Sequence, residues 1–132
     1  MKAGIQDIAE QYWRAEETRD VAAILDYYHA DGELIVPEMG KLRGHSEIKL
    51  FYEASINRFP SLQVEILSGF EVGERGAFEW RARFLDHEGR QWNLQGVNVV
   101  TVRDNRFEKV HVYYDSALLD ESGLSPWKSA SQ

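Results

Sequence analysis

A single carboxamide interrupts an otherwise apolar stripe in the second half of the chain. The stripe is formed by alternate residues of one segment: Trp92, Leu94, Gly96, Asn98, Val100 and Val102. A period of two predicts a β-strand with one buried face. Leaving a buried amide without a hydrogen-bond partner costs about 1–3 kcal/mol. Asn98 therefore either bonds within the core or points into a cavity that receives a ligand.

A tyrosine on the first predicted helix could act together with this amide. Tyr12 lies on the apolar face of that helix, and a tyrosine hydroxyl is a neutral hydrogen-bond donor at pH 7. If Tyr12 and Asn98 meet, they could hold a carbonyl oxygen and stabilise negative charge that develops on it. The alternative is that Tyr12 bonds Asn98 or a backbone group and only satisfies the core. The sequence leaves both alternatives open.

An acid that moves a proton would complete such a site. Glu38 follows Pro37, where the strand alternation ends, and could lie at the mouth of the cavity. Burial there would raise the pKa of its carboxyl group and suit it to proton transfer. An exposed position in a loop is the alternative. Further inward-facing aromatic residues would form the cavity walls: Tyr52, Trp80, Trp92 and Tyr114.

The composition excludes several classes of function. The net charge of −7 argues against nucleic acid and anionic membranes, which require clustered Lys and Arg. The chain has no cysteine, and its four histidines are scattered without metal-ligand spacing, so we expect no metal and no cofactor. There is no signal-peptide pattern and no apolar run of the length needed to span a bilayer, so we expect a cytoplasmic protein.

The spacing of apolar residues places these candidates on an α+β fold. It predicts helices over 5–18, from Asp20 and from Ser46, the last ending at Phe59-Pro60. After Pro60 the period changes from 3.6 to 2, which indicates four long strands in an antiparallel meander. Three N-terminal helices would then pack on one face of a curved antiparallel sheet. We expect one domain over residues 1–120 and a C-terminal tail over 121–132.

The sheet face away from the helices is half apolar. Ile35, Leu67, Val97, Val99 and Tyr113 are expected there among polar residues. An exposed apolar patch of this kind favours a homodimer formed through the outer sheet face. Scattered surface aliphatic residues are the alternative.

Several short motifs, taken in order, resemble the nuclear-transport-factor-like superfamily of cone-shaped domains. Within it, the chain is similar to the SnoaL-like polyketide cyclases and the ketosteroid isomerases, over about residues 5–119. The motifs are Tyr12 eight residues before Asp20, the strand closing on Pro37, Gly44 before the third helix, Phe59-Pro60 after it, Glu79–Ala82, Gly96–Val99 and Tyr113–Asp115.

The resemblance implies roles for particular positions. Tyr12 matches the isomerases' oxyanion tyrosine, and Asn98 falls where those enzymes place a protonated aspartate. The resemblance therefore implies that the two residues act as paired oxyanion donors. The isomerases' base position is Val36 in this sequence. The acid of the related epoxide hydrolases falls at Val112. The resemblance thus makes Val36 and Val112 ligand-contacting positions and supplies no base.

Three hypotheses follow from the sequence. The first is an isomerase or cyclase acting on a small hydrophobic substrate with a carbonyl group, using Tyr12, Asn98 and Glu38. An epoxide hydrolase-like activity is an enzymatic alternative to it. The second is a non-catalytic ligand-binding or accessory domain of the same fold. The third is a dimerisation module, which would need the cavity to be filled.

Overall fold

A six-stranded sheet and three helices form the part of the chain that the structure, a computed structural model, describes: residues 4–37 and 39–114. The order of strands across the sheet is β2-β1-β6-β5-β4-β3. In chain order the elements are α1 (Ile5–Glu17), α2 (Val21–Leu25), β1 (Tyr28–Val36), β2 (Gly40–Arg43), α3 (Gly44–Arg58), β3 (Ser61–Val72), β4 (Arg75–Leu85), β5 (Gln91–Arg103) and β6 (Arg106–Tyr114).

The predicted α+β cone is confirmed. Strands β3 to β6 form the expected antiparallel meander, and β1 joins β6 as the sheet's parallel pair. The inner faces of the sheet and helices share one apolar core. No helix in the described ranges is long and apolar enough to cross a membrane. The predicted tail, 121–132, lies outside the described residues.

Helix α1 forms as predicted because its apolar residues recur on one face. Ile8, Tyr12 and Trp13 are buried there. The helix ends just before Arg19, whose backbone is left-handed with φ of 58°. The Arg19 guanidinium donates to the carbonyl of Phe59 at 3.1 Å and to the hydroxyl of buried Ser55 at 2.8 Å. These bonds hold the end of α1 against the end of α3.

The alternation that begins with Leu62 and Val64 predicts that Phe70 and Val72 also face inward. The structure shows that this prediction is wrong. The pairing of β3 with β4 shifts between Ile66 and Ser68, so that Leu67 is an extra residue. A bulge of this kind reverses the side-chain alternation beyond it. Phe70 and Val72 are consequently 68% and 76% exposed. Gly69 takes an inward place opposite Phe78, where a Cβ would lie 2.4 Å from the Phe78 ring.

Between α2 and α3, the sequence predicts a turn at Asp31-Gly32, a short strand from Glu33 to Val36 and a loop with a few extended residues over 40–44. The structure is more regular than this. The expected turn at Asp31-Gly32 is wrong, because both residues lie within β1. Gly32 allows close backbone contact there, since a Cβ would lie 3.1 Å from the carbonyl oxygen of Phe107. Residues 40–43, predicted as a loop, pair with β1. Helix α3 begins at Gly44, with φ of 78°, and not at Ser46.

Side chains of α1 cover the edge of the sheet at β3. Arg14 donates from Nη2 to the Val64 carbonyl at 2.7 Å, and the Val64 N–H donates to Glu17 Oε2 at 2.8 Å. Arg14 and Glu17 also form an ion pair at 3.2 Å. An uncovered edge strand can pair with another chain. Glu17 is therefore engaged at the sheet edge.

Candidate functional site

A small cavity lies between the helices and the inner face of the sheet. Its volume is about 40 Å³. Most of its walls are aromatic or aliphatic, and the polar groups come from a few side chains of α1, α3, β4, β5 and β6. The lining residues are Tyr12, Trp13, Glu16, Phe51, Tyr52, Leu62, Val64, Trp80, Ala82, Phe84, Leu94, Asn98, Val112 and Tyr114.

Three buried tyrosines from α1, β1 and α3 form a chain of hydroxyl groups. The Tyr28 and Tyr52 oxygens are 2.6 Å apart, and the Tyr52 and Tyr12 oxygens are 2.5 Å apart. Burial raises the pKa of each of the three phenols, so all remain protonated at neutral pH. Three O–H groups share two internal bonds. If Tyr28 donates to Tyr52 and Tyr52 to Tyr12, the Tyr12 proton points out of the chain into the cavity, where the Glu16 carboxyl group accepts it.

A tryptophan fixes the orientation of the Asn98 amide. The Trp80 indole Nε1 donates to Asn98 Oδ1 at 2.8 Å, and both residues are buried. An indole N–H can only donate, so its partner must be the amide oxygen. The amide N–H₂ of Asn98 is then left as a donor at the cavity wall. This is the polarity that a developing oxyanion requires.

Gly96 makes this orientation possible. It pairs with Trp80 across β4 and β5. A Cβ at Gly96 would lie 2.6 Å from Trp80 Cζ2 and 2.4 Å from the Tyr113 carbonyl oxygen. Both distances are far shorter than ordinary van der Waals contact. The missing side chain lets the indole lie against the strand and reach Asn98.

The cavity also contains a carboxyl group that the sequence analysis missed. Glu16 is half-buried and lines the cavity one helical turn after Tyr12. Burial raises the pKa of Glu16, while the Arg19 guanidinium and a contact with the Tyr12 hydroxyl act in the opposite direction. The i, i+4 spacing from Tyr12 was the available signal, because such residues share one face of a helix.

The structure brings most of the predicted site residues to this cavity. Tyr12 and Asn98 both reach it, but within the described part of the chain each bonds to other residues and not to the other. Val36 is buried away from the cavity wall, and Glu38 lies outside the described residues. Predicted residues that line the cavity are Tyr12, Tyr52, Trp80, Asn98, Val112 and Tyr114.

Trp92 is buried for a structural reason. Its indole N–H donates to Asp86 Oδ2 at 3.2 Å, and its ring packs against Phe59. Desolvation raises the pKa of Asp86, but hydrogen bonds from the Arg90 and Glu88 backbones and from the Trp92 and Arg90 side chains outweigh it and lower the value to about 2. Asp86 thereby closes the β4–β5 hairpin with Trp92 as one of its donors.

Comparison with known proteins identifies the family. Residues 9–110 match the family of SnoaL-like domains. This chain belongs to the SnoaL-like domain family. No curated protein is significantly similar in sequence.

Solved structures share the fold of this SnoaL-like domain at low sequence identity. TerC, co-crystallised with polyporic acid, is 21% identical with a TM-score of 0.76, over 88% of this chain and 95% of TerC. An NTF2-like protein of unknown function from Burkholderia pseudomallei is 19% identical, with a TM-score of 0.79, over 91% and 97%. A ketosteroid isomerase-like protein from Catenulispora acidiphila, in complex with trimethylamine, is 17% identical, with a TM-score of 0.79, over 93% and 97%.

The cavity of this SnoaL-like domain is narrow in the structure. Its volume of about 40 Å³ accommodates a few water molecules at most. Pockets for drug-sized ligands measure about 300–1,000 Å³. A larger groove of about 1,100 Å³ lies outside, over β3, but it is open, and its charged residues include two ion pairs: Arg81 with Glu65 at 2.5 Å and Arg14 with Glu17 at 3.2 Å. Among the described residues no cluster of His, Asp and Glu could hold a metal.

Proposed function

We propose that this SnoaL-like domain is a small-molecule isomerase or cyclase that acts on a hydrophobic substrate bearing a carbonyl group. One observation carries the proposal. The Tyr12 hydroxyl and the Asn98 amide line the same cavity, whose other walls are mainly apolar. Two neutral donors in a mainly apolar surrounding can bind a carbonyl oxygen, because the walls offer it few other polar partners.

The expected chemistry is stabilisation of negative charge on that oxygen. Removing a proton from the carbon next to a carbonyl leaves the C–H electron pair behind and places negative charge on the oxygen. Fixed donors stabilise this charge best when water is excluded. The Tyr28–Tyr52–Tyr12 chain and the Trp80–Asn98 bond hold both donors in place before a substrate binds. TerC, crystallised with polyporic acid, supports a small organic ligand for this fold.

Substrate binding would require the cavity to open. A fused-ring ketone needs several times the volume that the cavity has in this structure. Aromatic side chains such as Phe51 and Phe84, which also line the cavity, would have to move. The small volume is also the observation that favours a second candidate function, a non-catalytic accessory domain whose core is simply well packed.

A ligand screen followed by two substitutions distinguishes these functions. Steroids, polyketide-like ketones and terpene epoxides are tested for a rise in the melting temperature, because a ligand that binds the native state stabilises it. Turnover of any hit should fall at least about tenfold in Tyr12→Phe with affinity little changed, a loss of about 1.4 kcal/mol or more from the transition state. Asn98→Leu should abolish binding or turnover.

A matched control removes a hydroxyl outside the cavity. Tyr27 packs edge-on against Tyr12, with ring centres 6.3 Å apart, and is not a lining residue. Tyr27→Phe should leave turnover unchanged. If a ligand binds without being turned over, and Tyr12→Phe weakens only its binding, the accessory function is favoured. If no ligand of the three classes binds, the proposal of a small-molecule function is wrong.

We also propose a homodimer through the outer sheet face. Val97 pairs with Tyr113 and Val99 with His111. The apolar side chains of Val97, Val99 and Tyr113 are therefore contiguous across β5 and β6. Tyr113 is 50% exposed. Val99→Glu should convert a dimer to a monomer in light scattering, whereas Leu50→Glu on the exposed face of α3 should not. A wild-type monomer at micromolar concentration would refute the proposal.

A further inference from the structure

We propose that Glu16 is the group that moves the proton in this site, acting as general base and then as general acid. The inference rests on the proposed function and adds the residue that the sequence analysis did not supply. Among the described residues that line the cavity, Glu16 is the single acid, and none is a histidine. The two positions at which related enzymes carry their acids are aliphatic here, Val36 and Val112.

The position of Glu16 on α1 suits this role. Residues four apart on a helix lie on one face, with Cβ atoms about 5–6 Å apart. Tyr12 and Glu16 therefore present a hydroxyl and a carboxyl group side by side along the cavity. A substrate whose carbonyl oxygen contacts Tyr12 would place a neighbouring carbon within reach of Glu16. Glu17, the next residue, is turned to the sheet edge and bonds the Val64 N–H.

The groups that face Glu16 control its protonation. On its own helix these are the Tyr12 hydroxyl and the Glu17 carboxylate, and Arg19 follows the helix. Tyr28 of β1 and Tyr52 of α3 interact with its charge, and Tyr114 of β6 lines the same cavity.

Two opposing influences leave Glu16 able to exchange a proton. Burial raises the pKa of Glu16, whereas the Arg19 charge lowers it and keeps the carboxylate accessible. The Arg19 guanidinium is held by three acceptors, the Phe59 and Glu16 carbonyls and the Ser55 hydroxyl. A carboxylate with a raised pKa is a stronger base than an exposed one.

The proton-transfer step is balanced without any further reactant. The Glu16 carboxylate takes a proton from the carbon next to the carbonyl, and the C–H electron pair becomes the C=C bond of an enolate. The carbonyl π pair moves to the oxygen, where Tyr12 and Asn98 donate to it. Protonated Glu16 then returns the proton to the same carbon or, in a conjugated substrate, to the carbon two positions further along. The second outcome is an isomerisation.

Hydrogen–deuterium exchange tests the step without knowledge of the natural substrate. The probe is 2-tetralone, a bicyclic ketone with acidic protons next to its carbonyl, followed by NMR in D₂O with the full-length protein. Glu16→Gln should lower the enzyme-dependent exchange rate at least about a hundredfold, the lower bound for general-base catalysis. Its affinity for 2-naphthol, an unreactive analogue of the enol, should stay within about threefold, since binding uses the donors and not the base.

A matched control and a titration separate the possible results. Glu10→Gln should exchange the probe at the wild-type rate, because Glu10 is exposed on the same helix and does not line the cavity. The ¹³C carboxyl resonance that disappears in Glu16→Gln should titrate at the same pH at which the wild-type exchange rate rises. Exchange retained in Glu16→Gln overturns the role of Glu16 and leaves the proposed function standing. Absence of exchange in the wild type, with 2-tetralone shown to bind, overturns both.

Discussion

Removing the Tyr52 hydroxyl should destabilise the protein more than removing either of its neighbours. Tyr52 is the central member of the chain, with contacts of 2.5 Å to Tyr12 and 2.6 Å to Tyr28. Each buried hydrogen bond contributes about 0.5–1.5 kcal/mol net, and a buried polar group left unpaired costs about 1–3 kcal/mol. Tyr52→Phe breaks both bonds and leaves the Tyr12 and Tyr28 hydroxyls without this partner. We therefore expect the free energy of unfolding to fall by about 2–4 kcal/mol. Tyr28→Phe breaks one bond and should cost about 0.5–1.5 kcal/mol.

Urea unfolding at pH 7 measures these differences directly. The free energy of unfolding is obtained by linear extrapolation, at one protein concentration so that any association is constant. The three Tyr→Phe variants have the same chemistry and differ only in place within the chain, so each serves as a control for the others. If Tyr52→Phe costs no more than Tyr28→Phe, the hydroxyls do not form a chain with Tyr52 at its centre, and the positioning of Tyr12 must have another cause.

Three further predictions concern the sheet that supports the site. The pKa of Asp86 is about 2 in the folded protein against 3.8 ordinarily. The stabilisation by its ionised carboxylate is therefore present above pH 3.8 and is lost as the pH falls toward 2. In Asp86→Asn, the free energy of unfolding should fall less steeply as the pH is lowered through this range. Gly96→Ala should cost about 1–3 kcal/mol by overpacking and shift the Trp80 indole N–H resonance. Phe70→Ser should change the free energy of unfolding by less than about 0.5 kcal/mol, whereas Leu62→Ala should lower it by about 2–5 kcal/mol. Both values are measured by urea unfolding. Equal losses would contradict the bulge.

The fold was predictable because its patterns are local and repeated. Helix α1 and the meander follow from periodicities of 3.6 and 2 over many residues. The bulge at Leu67 was not predictable, because one extra residue reverses the alternation without changing the composition, and Phe70 then reads as a core residue. The end of β1, from Glu33 to Val36, was predictable, but its first part from Tyr28 was not, because Asp31-Gly32 has the composition of a turn. Gly32 serves instead for close contact with the neighbouring strand.

The candidate site was predictable in part for a related reason. Tyr12 and Asn98 are conspicuous as polar groups on apolar faces, and both line the cavity. The pairing of Asn98 with Trp80 depends on the register of β4 against β5, which the sequence does not specify. Glu16 resembles any charged residue on an exposed helix face. Only the three-dimensional arrangement of α1 above the sheet separates it from Glu17.

Helix α1 has two duties that cannot be altered independently. Through Arg14 and Glu17 it covers the edge strand β3 against pairing with another chain, and through Tyr12 and Glu16 it carries groups proposed for chemistry. A mutation that lets this helix detach would therefore disable the site and also expose an edge strand through which the protein could self-associate. Inactive variants of this helix should accordingly be found among those that precipitate.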